Sequence, residues 1–228
     1  MLLQVRQLSK TYGQEAMAQQ VLRDVTFDLQ AGGTLALEGE SGSGKSTVLH
    51  LIAGLDKPSG GQILLDGRDI TVLGDAESAE VRRGTVGLVF QQFNLIPSLT
   101  VAANIAFHAR LSQKHDPEHA EYLAHKLGLG DHLQKYPEAL SGGQQQRVAI
   151  ARTLAAVPRL ILADEPTGNL DEASADRVLD LLLETASEAG SAVLMVTHSA
   201  RQAARMGNRL TLSAGQTVVR ERLKAGGT

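Results

Sequence analysis

Gly39-Glu40-Ser41-Gly42-Ser43-Gly44-Lys45-Ser46-Thr47 decides how the rest of the chain is read. It follows the apolar run Leu35-Ala36-Leu37 and leads into Val48-Leu49-His50-Leu51-Ile52-Ala53. That order predicts strand, glycine turn, helix, and the pattern G-x-x-x-x-G-K-[ST] is complete from Gly39 to Ser46. Glycine at 39, 42 and 44 lets the backbone take positive φ and fold its N–H groups inward as an anion-holding nest. The helix starting beside Lys45 aims its positive end at the same point. Lys45 places a point charge on the outer phosphates of a nucleoside triphosphate, and the Ser46 hydroxyl suits Mg²⁺.

Three more apolar runs end, like Leu35-Ala36-Leu37, in residues suited to phosphoryl transfer. Val86-Gly87-Leu88-Val89-Phe90 stops at Gln91, Leu160-Ile161-Leu162-Ala163 at Asp164-Glu165, and Ala192-Val193-Leu194-Met195-Val196-Thr197 at His198. Near-continuous apolar strands separated by helical stretches predict a buried parallel sheet. Ligands of such sheets bind beyond the carboxyl ends of the strands. Asp164 is placed to hold Mg²⁺. Glu165, on the opposite face from its neighbour, suits the general base for an attacking water. His198 reaches for the γ-phosphate. The Gln91 amide reaches Mg²⁺ or the water, with Gln92 beside it as a competitor. Tyr12, after Leu8-Ser9-Lys10-Thr11, reads either as an adenine platform or as a half-buried strand aromatic.

Composition sets outer bounds. The chain has 228 residues, 43% of them hydrophobic, enough for one substantial core. A formal net charge of −3 argues against nucleic acid held by bulk positive charge. With no cysteine there is no disulfide framework and no thiolate metal site, which suits a reducing compartment. No run approaches the roughly 20 apolar residues that span a bilayer. Met1-Leu2-Leu3-Gln4 lacks the character of a signal peptide, so work at a membrane calls for a partner to hold the chain there.

Alternation predicts strands over 2–8 and 21–29, with a polar loop from Gly13 to Gln20. Asp66-Gly67 and Ala214-Gly215 mark hairpins. Asp116-Pro117-Glu118 starts a helix that Gly128 and Gly130 end, and a further helix spans Glu172 to Glu188. The stretch 92–157 reads as a helical insertion in an α/β domain, and Ala225 to Thr228 as a loose tail. His115, His119 and His125 cluster, but the helix starts after His115, so a solvated face is the better reading than a metal site.

Leu140-Ser141-Gly142-Gly143-Gln144-Gln145-Gln146-Arg147 opens another helix, with Ser141 as its N-cap. Gly142 and Gly143 leave the first N–H groups open, a second anion-binding helix end with no strand before it. An ordinary glycine-containing helix start reads the same way.

Taken together, these motifs resemble those of the ATP-binding-cassette ATPases, the nucleotide-binding subunits of ABC transporters. They match in order over nearly the whole chain: an aromatic at Tyr12, Walker A at Gly39–Thr47, the glutamine loop at Gln91, the signature at Leu140–Gln144, Walker B at Leu160–Asp164, the catalytic Glu165, the D-loop at Asp171 and the switch His198. The resemblance implies a P-loop NTPase fold with a mainly parallel central sheet, an antiparallel N-terminal β subdomain and an inserted helical subdomain. One domain, 1–228, would comprise a core (1–91 and 158–228) and a helical signature subdomain (92–157). It implies ATP and Mg²⁺ as cofactors, with Ser46, Gln91 and Asp164 toward the metal. Ser141, Gly142, Gly143, Gln144 and Asp171 would act in trans, on nucleotide held by a second copy packed head to tail. The other implied partner is an integral membrane permease, which holds the subunit at the cytoplasmic face of the inner membrane.

Asp164–Asp171, Ser141–Arg147 and Phe90–Pro97 look most like the bacterial subgroup for lipoprotein release and macrolide export. Ser199 stands after the switch histidine where Asp is commoner, and Ala103 before Asn104 where Glu is commoner. Phe93, Leu95, Ile96 and Leu99 form an apolar patch, either core or a groove for a short helix of the permease. A soluble ATPase of DNA repair or translation would carry a long coiled coil or two cassettes, which this chain lacks. A regulatory or division-complex module is the remaining alternative.

Overall fold

A computed structural model describes residues 1–14 and 17–222, with side chains through Val218. The expected loose tail, and Glu15-Ala16 of the expected loop, lie outside the described residues. The chain packs as two compact units, Met1–Arg82 with Ala192–Thr228, and Arg83–Ser191. The expected helical stretch 92–157 falls wholly within the second, which also takes in flanking strands and a further helix.

The first unit contains two sheets. In one, β1 (Leu3–Tyr12), β2 (Gln19–Leu29), β4 (Gly60–Leu65) and β5 (Arg68–Asp69) pair antiparallel in the order β2-β1-β4-β5. Alternation drives β1: Leu3, Val5 and Leu8 are buried against Leu29, Phe27 and Val25 of β2. The strand runs on to Tyr12, beyond the predicted end at 8, and β2 begins at Gln19 inside the predicted loop. Lys10 is the reason: it is a buried position of β1, its ammonium satisfied by Asp56 Oδ1 at 2.7 Å and the Lys57 carbonyl at 2.6 Å. At the β4–β5 hairpin, Asp66 and Gly67 take φ of 54° and 79°, the paired left-handed geometry of a two-residue turn.

In the other sheet, β3 (Thr34–Glu38) runs parallel to both β8 (Ala192–Val196) and β9 (Asn208–Ser213), while β10 (Gln216–Arg222) returns antiparallel to β9. Leu35, Ala36 and Leu37 are buried, as is every residue of β8, as expected of strands covered on both faces. Each fully buried aliphatic contributes about 1.5–3 kcal/mol of transfer free energy. Helix α1 (Lys45–Ile52) packs on β8 and β2, and the short α7 (Ala200–Ala203) packs on β3.

In the second unit, β6 (Val86–Val89) is parallel to β7 (Leu160–Asp164). Helix α5 (Gly142–Leu154) packs on β6, and α3 (Val101–Leu111), α4 (Pro117–Lys126) and α6 (Glu172–Glu188) pack on α5. Their starts follow local chemistry. Asp116 accepts from the N–H groups of Glu118 and His119 with Pro117 in the first turn, and Asp171 accepts from Ser174 N at 3.0 Å. Helix α2 (Asp75–Gly84) carries no apolar stripe that would predict it from sequence, since Ser78 is its one buried residue.

Candidate functional site

The phosphate loop follows β3 directly. Gly39 has φ 150°, and a Cβ there would lie 2.2 Å from the Leu212 carbonyl oxygen, so a side chain is excluded. Gly44 caps α1 with φ 99° and supplies no side chain to the first helical N–H groups. Gly42 has φ 78° and nothing within 4 Å on its side-chain face. Ser43 Oγ is buried with no hydrogen-bond partner. Lys45, 6% exposed, donates to the carbonyls of Gly39 at 2.9 Å and Glu40 at 2.8 Å, which anchors its charge inside the loop. Glu40, Ser41 and Ser46 are exposed and Thr47 is half-buried. An uncapped helix start, an orphaned hydroxyl, an open glycine face and a fixed cation are what a triphosphate needs, so ATP fits these residues.

The parallel pairing brings His198 to the same edge. Leu37 of β3 is in register with Val196 of β8, so Gly39 and His198 each stand two residues beyond a matched pair. Neighbouring strands lie about 4.8 Å apart. Beside His198, Thr197 Oγ1 accepts from Ser199 N at 3.0 Å, and Ser199 Oγ caps α7 by accepting from Gln202 N.

Tyr12, the last residue of β1, is 42% exposed. Its hydroxyl donates to Asp56 Oδ2 at 2.8 Å, and Lys10 Nζ stands 4.7 Å from its ring centroid. Burial, then the neighbouring Asp56 carboxylate, push the phenol above its ordinary pKa. Burial works against ionisation of Asp56, but bonds from Lys10, Tyr12 and the Lys57 N–H outweigh it and hold the carboxyl below its usual range.

The second unit repeats the register. Val89 of β6 pairs with Ala163 of β7, so Gln91 and Glu165 also stand two residues beyond a matched pair, with Asp164 ending its strand between. Glu165 takes φ 45°, a left-handed conformation uncommon for a residue with a side chain, and its carbonyl accepts from Gly168 N at 3.0 Å. Gln91 Nε2 donates to Asn169 Oδ1 at 3.2 Å, and Asn169 Nδ2 donates to the Gln91 carbonyl at 3.0 Å. A Cβ on Gly168 would sit 2.9 Å from Gln91 Nε2 and 3.3 Å from Glu165 Oε2, so both side chains flank that glycine.

The Ser141 helix end is a complete capping box. Ser141 Oγ accepts from Gln144 N at 3.4 Å, and Gln144 Oε1 accepts from Ser141 N at 2.8 Å. Gln144 Nε2 lies 2.9 Å from His132 Nε2. In this conformation the Gln144 side chain is spent within its own unit, while Ser141, Gly142, Gly143 and Asp171 line one open cavity of about 350 Å³ together with Arg177. Asp171 is held below the usual carboxylate range by the Ser174 side chain and N–H.

Sequence reasoning missed the residues that brace this unit. Arg152, 4% exposed, donates to the carbonyls of Phe93 at 3.2 Å and Asn94 at 2.6 Å. Thr153 Oγ1 donates to the Leu88 carbonyl at 2.9 Å, and Gln146 Nε2 to that of Phe90 at 3.4 Å. Asn104, fully buried, ties Ile96, Leu99 and Thr100 together. Phe93, Leu95, Ile96 and Leu99 remain half-buried. Among the described residues no group of three His, Cys, Asp or Glu side chains is arranged to hold a metal, and no helix is long and apolar enough to cross a membrane.

The ABC transporter family profile matches residues 22–168. The chain is 46% identical over 201 residues to an uncharacterized ABC transporter ATP-binding protein of Mycobacterium tuberculosis, covering 87% of this chain and 81% of that one. It is 43% identical over 223 residues to the lipoprotein-releasing system ATP-binding protein LolD of Shewanella oneidensis, covering 96% and 97%. Among solved structures, the dimeric post-hydrolysis state of the ATP-binding cassette MJ0796 bound to ADP and Pi superposes with a TM-score of 0.88 at 34% identity, over 98% of this chain and 100% of that one. The fold is therefore the expected P-loop NTPase fold. The chain belongs to the ABC transporter family, as one of its ATP-binding and ATP-hydrolysing cassettes.

Proposed function

We propose that this cassette drives a separate membrane permease of the lipoprotein-release or export type, acting as a head-to-tail pair with a second copy of itself. The observation that carries the reading is the cavity under Ser141, Gly142 and Gly143: an anion-suited helix end in a unit without a phosphate loop of its own. The likeness to LolD and to a dimeric cassette supports the partner classes. The half-buried patch at Phe93, Leu95, Ile96 and Leu99 supports a landing place for a permease helix. Such a subunit works at the cytoplasmic face of the inner membrane, and the absence of cysteine from the sequence suits that compartment.

The residues divide the work. The N–H groups of 39–47 and the Lys45 ammonium hold the phosphates of ATP, and Tyr12 stacks on the base. Ser46, Asp164 and Gln91 offer oxygen ligands for Mg²⁺, which when bound neutralises charge on the β- and γ-phosphates. Glu165 accepts the proton of the attacking water, and His198 donates a hydrogen bond to the γ-phosphate. Ser141, Gly142, Gly143, Gln144 and Asp171 serve the nucleotide of the twin. Closure follows ATP binding, and hydrolysis reopens the pair.

Glu165→Gln tests this. It should keep ATP binding, lower turnover about 100-fold or more, and convert the protein to a dimer on addition of ATP, read by size-exclusion chromatography. Turnover near wild type would remove Glu165 as the base. Co-purification of an integral membrane protein, with cargo released on ATP addition, tests the permease.

A further inference from the structure

Gln91 carries a carboxamide whose two ends differ in use. The oxygen is a hard ligand for a divalent cation, and the nitrogen is not. A half-turn about the last side-chain bond exchanges them, so an unrestrained Gln91 would present either. Two observations show that it is restrained. The Gln91 backbone carbonyl accepts from Asn169 Nδ2 at 3.0 Å, and a carbonyl can only accept, so this fixes Asn169. Asn169 Oδ1 must then face Gln91 Nε2, as it does at 3.2 Å, and Gln91 Oε1 becomes the outward end. Reversing either amide would set two acceptors or two donors against each other. Independently, Gly168 leaves room for this arrangement, since a Cβ there would lie 2.9 Å from Gln91 Nε2. Asn169 is itself held in a turn by Gly168 N to the Glu165 carbonyl at 3.0 Å and Leu170 N to the Thr167 carbonyl at 3.1 Å.

We infer that Asn169 is a positioning residue for Gln91, fixing the carboxamide oxygen as the end offered to the nucleotide's metal ion. The inference rests on the reading of Gln91 as a metal ligand. It adds a residue 78 positions away that acts through Gln91 and not on nucleotide directly. Removing it frees the carboxamide to turn, which slows the chemical step and leaves ATP affinity unchanged.

The first test needs no nucleotide. In ¹⁵N-labelled protein, the side-chain amide resonance of Gln91 is assigned by its loss in Gln91→Ala. It should shift in Asn169→Ala and in the near-isosteric Asn169→Leu, which keeps the volume without the polar atoms. An unmoved resonance overturns the proposal. In steady-state assays both variants should lower kcat about 3- to 10-fold, with KM for ATP within about two-fold. Added to Gln91→Ala, Asn169→Ala should change kcat by less than about 1.5-fold. If Gln91→Ala is slow and the Asn169→Ala loss adds to it in full, the positioning role falls while the metal-ligand reading stands. If Gln91→Ala itself turns over at the wild-type rate, the metal-ligand reading falls and the positioning role with it.

Discussion

The ammonium of Lys45 folds back on the loop that carries it and donates to the carbonyl of Gly39, at 2.9 Å. The phosphate charge therefore meets a cation already seated. Replacing a charge-assisted bond of this kind costs about 1.5–3 kcal/mol, or roughly 10- to 100-fold in affinity. Lys45→Ala should weaken ATP binding by that factor in a calorimetric titration. Affinity within two-fold of wild type would show that the loop N–H groups suffice.

Ser141 sits at the rim of a cavity of about 350 Å³. An arginine side chain in its place fills that space and removes the capping hydroxyl. Ser141→Arg should leave each monomer able to bind ATP, but in the Glu165→Gln background it should abolish ATP-driven dimer formation by light scattering. Loss of monomer binding instead would contradict an action on the twin's nucleotide.

His108 supplies a pH test. Burial, then the Arg152 charge, lower its pKa from 6.5 to about 4. The unfolded chain therefore takes up the proton first, so the folded state loses stability as pH falls from about 6.5 toward 4. The slope from this group is at most roughly 1.4 kcal/mol per pH unit. Urea midpoints should fall across that window in the wild type and fall less in His108→Gln. Equal slopes would show that another group dominates.

What could be read in advance was local chemistry. The glycines and Lys45 mark the phosphate loop, and Asp116-Pro117 and Ser141 mark helix starts, because a cap is decided within a few residues. The far end of β1 is not legible because Lys10 faces inward, and its satisfaction depends on Asp56, 46 residues away. Asn169 and Arg152 could not be singled out for the same reason: their partners lie 78 and 58 residues off. The register that aligns Gly39 with His198, and Gln91 with Glu165, was expected from strand ends but required the pairing itself to be seen.

The bracing of residues 88–94 has a mechanical consequence. The strand end that carries Gln91 hangs from one helix by Thr153, Gln146 and Arg152, and that helix is capped by Ser141. Giving up the two guanidinium bonds alone would cost several kcal/mol. A displacement of the Gln91 stretch therefore loads α5 at Gln146, Arg152 and Thr153 at once, the same helix that Gly142 and Gly143 open.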